Sequence, residues 1–348
     1  MCMVTFDWEN CDAKKKVELF NKSRSPSWAI IELTDQCNFN CIWCYASAGS
    51  KGQNMSKENA EKIIQLLANA GIMQITFSGG EPLLYPYLKE AVKMAKDYGM
   101  IVHINTNGYL LTRKLAKELY DLGLTQVQIN IDSLNSRKHD KIRGKKGSFD
   151  RAVKALKNAK TVGLTCTSQT VLTKQNENEI IDIFKFARNM GIQRCRVWDI
   201  MTTGYAEGKM DLRPTDYIGT LKRLAKFAHK TGAKNIESGD PLFPLNYKTD
   251  ICVTGGYCAP VAGLVIIVSS KGDVYFCCAK RDKMYNILDA LDNKESIIDF
   301  HNFKLGQYKS QLKLSTKCKF CKFFNKCRGG CPARSSFTKS FKDYWCRF

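Results

Sequence analysis

The sequence predicts an α/β fold: a partial (β/α)6 barrel followed by a smaller cysteine-rich domain. Up to about residue 199, six apolar strand patterns alternate with amphipathic helix patterns, which is typical of a parallel sheet with crossover helices. Six strands fall short of the eight that close a (β/α)8 barrel. After about residue 235, glycine, proline and cysteine become frequent, and predicted long helices disappear. We therefore expect a lead-in over 1–27, the barrel over 28–235 and the second domain over 236–348.

Local sequence patterns predict the individual strands and helices. The first strand is the apolar run Trp28–Leu33, and the first helix begins at Ser56, a residue type that caps helix N-termini. Glycines mark the ends of four later helices, as left-handed C-terminal caps require. Strands are predicted at 28–33, 72–77, 100–105, 125–131, 164–171 and 192–199. Helices are predicted at 56–70, 86–98, 112–122, 149–162, 177–190 and 215–231, and a β-hairpin over 263–278.

Composition narrows the class of protein. The chain has 348 residues, 44% of them hydrophobic and 25% charged, which is ordinary for a globular protein. No apolar run approaches the ~18 residues of a membrane span, and the N-terminus lacks the apolar core of a secretory signal. We expect a cytoplasmic protein without membrane contact. In a reducing compartment, 16 clustered cysteines indicate metal ligands or catalytic groups rather than disulfides.

The net charge of +21 has several readings. A solvated lysine-rich surface explains it without any function. An acidic substrate or an acidic electron donor also fits. Nucleic acid is not expected, because the sequence has no helix-turn-helix, zinc-finger or RNA-recognition motif.

A first group of cysteines follows the first predicted strand. Cys37, Cys41 and Cys44 have the spacing C-x3-C-x2-C. Three thiolates on one loop can hold three irons of a [4Fe–4S] cluster and leave the fourth iron open to another ligand. Zinc is the alternative, but it needs a fourth ligand, and no histidine follows at zinc-finger spacing.

A glycine motif follows the second predicted strand. Gly79 and Gly80 permit close approach of a ligand to the backbone, and Glu81 can accept a hydrogen bond from an ammonium group. Taken alone, this motif is also compatible with a plain strand-to-helix turn.

Together, the cysteine loop and the Gly79-Gly80-Glu81-Pro82 motif resemble the radical S-adenosylmethionine (SAM) enzymes over about 28–235. The resemblance implies that SAM binds the open iron, is cleaved reductively, and yields a 5′-deoxyadenosyl radical that abstracts hydrogen from a substrate. It implies contacts to the SAM amino group at the glycine motif and to adenine at Trp43. Arg143 would pair with a carboxylate, although a solvated loop arginine is the alternative. Further polar contacts to SAM are expected at Asn107, Asp132, Ser133 and Gln169.

The C-terminal cysteines form further groups. Their pattern is C252-x5-C258, then C277, then C318-x2-C321-x5-C327-x3-C331, then C346. Eight cysteines are enough for two more clusters, and C-x2-C spacing also suits zinc. The pattern resembles the SPASM domain of a radical SAM subfamily. By that resemblance, the first auxiliary [4Fe–4S] cluster has the ligands Cys252, Cys258, Cys277 and Cys331. The second has the ligands Cys318, Cys321, Cys327 and Cys346.

Five cysteines remain. Cys166 and Cys195 lie in strand patterns and are expected to be buried small hydrophobic residues, whereas Cys2 and Cys11 have no assigned partner. Cys278 directly follows a predicted ligand and is the candidate catalytic residue, as a hydrogen-atom donor to a substrate radical. Sulfatase-maturing relatives resemble this chain but carry an aspartate there. A buried thiol, or a ligand replacing Cys277, is the alternative.

The resemblance implies several substrate classes. Modification of a peptide or protein side chain by crosslinking, epimerisation or oxidation is the first expectation. Modification of a tetrapyrrole or another small cofactor is the second, and a non-catalytic iron–sulfur carrier is an alternative of another class. For the enzyme, we expect a flavodoxin- or ferredoxin-type electron donor, an acidic substrate, SAM and three [4Fe–4S] clusters.

Overall fold

The structure is a computed structural model. It describes residues 26–201, 203–233, 235–240, 252–253, 258–292, 296–327, 329–336 and 338–346. Almost all of the predicted lead-in, with Cys2 and Cys11, lies outside the described residues.

The described strands form one sheet of eleven strands in the order β11-β10-β9-β1-β2-β3-β4-β5-β6-β7-β8. The pairs from β1 to β8 are all parallel. Their bounds are β1 Trp28–Thr34, β2 Gln74–Gly79, β3 Ile101–Thr106, β4 Leu124–Asn130, β5 Thr165–Leu172, β6 Arg194–Asp199, β7 Ile236–Ser238 and β8 Cys252–Val253. The predicted partial barrel with an open sheet is therefore confirmed.

The predicted helices connect these strands. They are α1 Lys57–Asn69, α2 Leu88–Asp97, α3 Arg113–Asp121, α5 Ser148–Thr161, α6 Ile180–Asn189 and α7 Tyr217–Thr231. The Ser56 side chain accepts from the Asn59 amide and caps α1, as expected. No described helix has the length and apolar character needed to cross a membrane.

One helix was not predicted. α4 spans Ser136–Arg143, and the Asn135 side chain caps it by accepting from the Lys138 amide. The sequence of α4 is almost entirely polar, and its buried residues are only His139, Ile142 and Arg143. A helix without an apolar stripe leaves no periodic signal in the sequence.

The expectation that long helices disappear after residue 235 is wrong. A fifteen-residue helix, α9, spans Ile297–Gln311. It buries Ile297, His301 and Leu305, which share one narrow face at four-residue spacing. The remaining short helices are α8 Ala259–Ala262, α10 Thr316–Lys319, α11 Phe324–Cys327 and α12 Pro332–Ser335.

The C-terminal part of the chain extends the barrel sheet. β9 (Val265–Val268) pairs parallel to β1, and β10 (Asp273–Tyr275) and β11 (Lys283–Asn286) follow in antiparallel pairs. The predicted hairpin is therefore confirmed. This arrangement brings the hairpin, with Cys277 and Cys278 just beyond β10, next to the strand that leads into the first cysteine loop.

The main core lies between the sheet and its helices. Ala29, Ile31 and Leu33 of β1 belong to this core and are fully buried. Because side chains alternate along a strand, Glu32 and Thr34 face the opposite side, the concave inner face of the sheet. The carboxyl ends of the parallel strands meet at one edge, where polar residues from successive strands come together.

Candidate active site

The first cysteine loop leaves the carboxyl end of β1. Within it, the Cys44 amide donates to the Cys41 carbonyl at 3.2 Å, and the Ile42 amide donates to the Ile142 carbonyl of α4 at 3.0 Å. Cys41 is buried, and Cys37 and Cys44 are half-buried. The loop is therefore tied to α4, the helix that the sequence did not reveal.

The three thiols of this loop share one small region. Burial raises the pKa of Cys37 to about 11 and that of Cys41 to about 12. In both cases the neighbouring thiols of the loop raise the pKa further, and the Arg143 guanidinium opposes the rise. Thiols with such pKa values are protonated at neutral pH. Since iron–sulfur clusters bind thiolates, cluster assembly at this loop releases protons.

The glycine motif at the end of β2 packs its backbone against the cysteine loop. Gly79 has φ +125°, and a Cβ there would lie 2.3 Å from the Thr34 carbonyl oxygen. A Cβ on Gly80 would lie 2.1 Å from the Gln36 carbonyl oxygen. Any side chain at either position would push the loop away, so close packing alone requires both glycines. Their predicted contact with SAM stays a prediction.

Glu81 connects the ends of β2 and β3. Its carboxylate is buried and accepts hydrogen bonds from the Thr106 hydroxyl at 2.6 Å, the Leu83 amide at 3.0 Å and the Asn107 amide at 2.7 Å. The Asn107 side chain donates in turn to the Asn38 side chain of the cysteine loop at 2.7 Å. Glu81 therefore has a framework role in the protein itself, and its predicted bond to an ammonium group is not tested.

Arg143 is not a solvated loop residue, so that alternative is wrong. It is the last residue of α4 and is 6% exposed. Its guanidinium lies 4.9 Å from the centre of the Trp43 ring and 5.5 Å from that of Phe39. Both aromatic residues belong to the cysteine loop, so a fixed cation lies directly beside the three thiols.

Asp132 is the buried counter-ion of Arg143. Its Oδ1 accepts from the Val171 amide at 3.0 Å, and its Oδ2 lies 3.6 Å from Arg143 Nη1. Burial raises the pKa of Asp132 to about 6, although the nearby guanidinium lowers it. Asp132 Oδ2, Arg143 Nη1 and Trp43 Nε1 are buried without a hydrogen-bond partner among the described residues. Asp132 Oδ2 and Arg143 Nη1 form an ion pair without a hydrogen bond, and Trp43 Nε1 has no partner, so these atoms beside one loop indicate a place for a polar ligand.

Two other predicted contacts lie in different surroundings. Ser133 is fully buried, donates to Glu179 Oε2 at 2.6 Å and accepts from the Asn135 amide at 3.1 Å. The protein itself thus uses the Ser133 hydroxyl. Gln169 is half-buried on β5, in register with Asn130 of β4.

The C-terminal cysteines fall into two groups. Cys258, Cys277 and Cys331 lie close enough that the Cys258 and Cys331 thiols both raise the pKa of Cys277, in addition to the effect of burial. Cys252 lies in β8, but its side chain is outside the described part of the chain.

The second group is Cys318, Cys321, Cys327 and Cys346, whose thiols influence one another's pKa in pairs. Burial raises the pKa of Cys318, with further contributions from Cys346 and Cys321. The pKa of Cys327 is likewise raised by burial, and Cys346 and Cys318 add to the rise. Within the described ranges, no three His, Cys, Asp or Glu side chains converge closely enough to hold a single metal ion.

Cys278 lies beside the first cysteine loop. The Tyr45 hydroxyl is near enough to lower the pKa of the Cys278 thiol, and Tyr45 directly follows Cys44. Burial raises the pKa of Cys278 to about 12, the Glu32 carboxylate adds to the rise, and Arg281 opposes it. The structure therefore places the candidate catalytic thiol between the first cysteine loop and Cys277. Cys166 and Cys195 are fully buried in β5 and β6, as expected.

The sequence did not reveal a buried charge cluster around Arg334. This guanidinium, 2% exposed, lies 2.8 Å from Asp343 and 3.4 Å from Asp199, and it also bonds Asp240. Asp343 Oδ2 accepts from the Cys331 amide at 2.7 Å. Asp199 ends β6, a position like those that singled out Asn107 and Asp132, so the same signal was available for it.

Comparison with known proteins identifies the family. The Radical SAM superfamily model matches residues 31–187. Mycofactocin maturase MftC of Mycolicibacterium smegmatis is 30% identical over 314 residues, which cover 88% of this chain and 78% of that protein. The chain belongs to the radical SAM superfamily. Members of this superfamily, the maturases among them, are enzymes.

Other relatives of this chain are named as enzymes of haem synthesis. AdoMet-dependent heme synthase of Oleidesulfovibrio alaskensis is 26% identical over 339 residues, 91% of this chain and 85% of that protein. Fe-coproporphyrin III synthase of Methanosarcina barkeri is 34% identical over 187 residues, 53% of this chain. The chain spans about half the length of the latter protein (46%) and of a second relative from that organism, an AdoMet-dependent heme synthase (57%).

The fold matches solved radical SAM structures. Streptococcus suis SuiB bound to precursor peptide SuiA superimposes with a TM-score of 0.74, covering 97% of this chain and 79% of that one. At 19% identity this likeness shows the fold alone.

Membership in the radical SAM superfamily implies SAM and a [4Fe–4S] cluster. The residues at the carboxyl end of β1 fit both groups. Three thiols lie on one loop, and buried polar atoms of Trp43, Asp132 and Arg143 that lack a hydrogen-bond partner lie beside it. The two unpaired nitrogens can donate to a ligand, and Asp132 Oδ2 can accept from one.

Proposed function

We propose that this protein binds SAM on a [4Fe–4S] cluster held by Cys37, Cys41 and Cys44 and uses it to modify a side chain of a peptide or protein. Support for the chemistry comes from three free thiols on one loop and the buried Arg143 beside them at the carboxyl end of β1. Support for the substrate class comes from the maturase relative, which aligns over 88% of this chain.

When bound and reduced, the cluster with SAM supplies a 5′-deoxyadenosyl radical that abstracts a hydrogen atom from a substrate C–H bond. The chain's own residues bind and orient SAM and the substrate, and they exclude water from the site. Arg143 is the residue that would hold the SAM carboxylate, because its guanidinium is buried, fixed by Trp43 and only loosely paired at 3.6 Å from Asp132. Trp43 would lie against the adenine ring.

The remaining predicted contacts divide into two roles. Gly79 and Gly80 would offer backbone groups to the SAM amino group, and Gln169 a side-chain amide on the inner face of the sheet. Glu81, Asn107 and Ser133 would keep the strand ends in place through the bonds already described. This division follows from which polar atoms the protein itself already uses.

The C-terminal cysteines would hold two auxiliary [4Fe–4S] clusters. Cys258, Cys277 and Cys331, with Cys252, would form the first site. The second site would have the ligands Cys318, Cys321, Cys327 and Cys346. Cysteine ligands on every iron leave no open position for SAM, so these clusters would carry electrons.

Cys278 would act as the hydrogen-atom donor. Its thiol lies near Tyr45, which directly follows Cys44 of the first cysteine loop, and it is the chain neighbour of the proposed auxiliary ligand Cys277. In this step the S–H bond breaks, a C–H bond forms on the substrate radical, and a thiyl radical remains. The Cys278 thiyl radical would take up one electron, which an auxiliary cluster held by the C-terminal cysteines would supply, and one proton from solvent, and so return to the thiol.

A second candidate substrate is a tetrapyrrole. It is favoured by the 26%-identical AdoMet-dependent heme synthase, which aligns over 91% of this chain. The charge of +21 suits a polycarboxylate as well as an acidic peptide. We propose a cytoplasmic enzyme in either case, because its clusters require a reducing compartment.

One experiment separates these candidates. Reconstituted, reduced enzyme is mixed with SAM and either the small-molecule or the peptide-sized fraction of an anaerobic cell extract, and 5′-deoxyadenosine is measured. Stimulation by the peptide fraction is expected. Stimulation by the small-molecule fraction alone would replace the peptide by a tetrapyrrole or another cofactor. No 5′-deoxyadenosine under any condition would make the protein an electron carrier.

A further inference from the structure

The last part of the chain is strongly basic. Residues 312–348 contain seven lysines and three arginines but only one acidic residue, Asp343. Asp343 is 1% exposed and is paired with Arg334, so it contributes no negative charge to the surface. Nine of the 21 net positive charges of the protein thus come from about a tenth of its length.

The lysines of this segment alternate along the chain with exposed apolar side chains. Phe320, between Cys318 and Cys321, is 91% exposed, and Leu314 is 40% exposed. A groove of about 270 Å³ in the same segment is lined in part by Leu314, Phe341 and three lysines. We call this surface the basic face, and its lysines are Lys313, Lys317, Lys319, Lys322, Lys339 and Lys342.

Two lysines of the basic face have contacts around the groove. Lys313 lies 5.2 Å from the centre of the Phe341 ring, which lines the groove. Lys342 also lines the groove and is close enough to Cys318 to lower the pKa of that thiol. One side of the basic face therefore lies close to Cys318, a member of the second cysteine group.

Three of the four cysteines of the second group are partly exposed to solvent. Cys318, Cys321 and Cys346 are half-buried rather than buried. Phe320 and Lys319 are the two residues between the cysteines of the C-x2-C pair. Whatever binds the exposed ring of Phe320 therefore lies beside the place where the second auxiliary cluster would be held.

We propose that the basic face is the docking site of a small acidic electron-transfer protein, which delivers electrons to the cluster at Cys318, Cys321, Cys327 and Cys346. The assignment rests on the proposed function for those cysteines. In each transfer, the partner's reduced iron–sulfur centre loses one electron and the oxidised cluster gains it. No bond is formed or broken, and no proton moves.

The anatomy of the basic face fits such a partner. An apolar centre with a charged rim is typical of protein interfaces, and complementary charge speeds the encounter of transient partners. Nucleic acid or an anionic membrane would also be attracted by lysines. Binding of nucleic acid or a membrane does not require a phenyl ring between two cluster ligands. An electron carrier that binds this ring lies a short distance from the cluster.

The test uses the reconstituted full-length protein and, as the probe, a [2Fe–2S] ferredoxin of net negative charge. The variant Lys317→Glu/Lys319→Glu/Lys322→Glu reverses charge beside the cluster loop. Its control is Lys154→Glu/Lys157→Glu/Lys226→Glu, with three exposed lysines on α5 and α7. We expect the Kd for ferredoxin to rise about tenfold or more in the variant and to stay within about twofold in the control.

A chemical reductant separates docking from catalysis. With dithionite, the cluster at Cys318, Cys321, Cys327 and Cys346 should be reduced at the wild-type rate in the variant, whereas with reduced ferredoxin its reduction should be slower. Raised salt should weaken wild-type binding and leave the variant almost unchanged, because screening removes only the charge term. Phe320→Ala should raise the Kd several-fold without changing the salt dependence.

The iron content of each variant is measured first. If the triple variant loses iron, Lys313→Glu/Lys339→Glu carries the test, because both residues lie outside the C-x2-C loop. Equal ferredoxin affinity in wild type and variants would overturn the proposal. So would tighter lysine-dependent binding to duplex DNA or to phosphatidylglycerol vesicles than to ferredoxin. A wild type that never cleaves SAM with dithionite would refute the proposed function, while ferredoxin binding would still report on the docking site.

Discussion

Arg281 and Glu32 form a bidentate ion pair, with N–O distances of 2.6 and 2.7 Å, that ties the β10–β11 loop to the inner face of β1. The Glu32 side chain is 1% exposed, whereas that of Arg281 is 23% exposed. The Arg281 guanidinium also lies 4.4 Å from the centre of the Tyr275 ring and 5.8 Å from that of Tyr45. One arginine thus fastens the C-terminal hairpin to the strand that leads into the first cysteine loop.

Arg281→Met should destabilise the protein by about 3–5 kcal/mol, because it leaves the Glu32 carboxylate buried and unpaired. The double variant Arg281→Met/Glu32→Gln should lose clearly less than the sum of the two single variants, since no unpaired charge remains. Urea unfolding of the reconstituted protein without oxygen measures both. Additive losses would show that the two side chains do not stabilise each other.

Arg143→Lys should raise the Kd for SAM about tenfold or more, because an ammonium group cannot make the paired hydrogen bonds that a guanidinium makes to a carboxylate. Arg137→Lys, an exposed arginine on the same helix, is the matched control and should bind SAM as wild type does. Calorimetry of the reconstituted, oxidised protein gives both affinities. An unchanged Kd in Arg143→Lys would remove this residue from the SAM site.

The three proposed clusters predict the iron content. Wild type should hold about twelve irons per chain after anaerobic reconstitution, and Cys37→Ala or Cys327→Ala should lose about four. Cys166→Ala, at a fully buried cysteine of β5, should lose none. Iron and sulfide analysis measures the cluster content of each protein. Zinc at the C-terminal sites, or about four irons in wild type, would contradict the two auxiliary clusters.

Cys278→Ala should keep its full iron content and still yield 5′-deoxyadenosine, but the substrate radical should no longer be quenched stereospecifically. The reason is that alanine has no S–H bond to donate. Turnover in deuterated water, followed by mass spectrometry of the product, measures the transferred hydrogen. If Cys278→Ala left turnover and product stereochemistry intact, Cys278 would be an inert thiol.

His139 predicts a pH dependence of stability. It is 1% exposed and lies 3.0 Å from the Ser148 hydroxyl. Burial lowers its pKa from 6.5 to about 4, with a further contribution from Arg143, while Asp140 acts in the opposite direction. Because the unfolded chain binds the proton more readily, stability is full above pH 6.5 and falls as the pH drops towards 4.

The His139→Asn variant should therefore show a shallower loss of unfolding free energy between pH 6.5 and 5 than wild type. His229→Asn, at an exposed histidine of α7, serves as the control and should keep the wild-type slope. Identical slopes in all three proteins would mean that His139 is already protonated in the folded state.

The sequence by itself determined the local features of this protein. Apolar periodicity placed the strands β1–β6 and their helices, and the Ser56 cap set the start of α1. The C-x3-C-x2-C spacing and the glycine motif carried the family, because both depend on residues that are close along the chain. Signals of this kind need no knowledge of distant contacts.

Only the tertiary structure decided how distant residues meet. α4 has no apolar stripe, so neither the helix nor the burial of Arg143 against Trp43 was visible in the pattern. The pair Arg281–Glu32 spans 249 positions, and Arg334 meets carboxylates at Asp199, Asp240 and Asp343. Charges buried in such pairs are stabilised by partners whose distance along the chain is arbitrary, and only the folded chain specifies them.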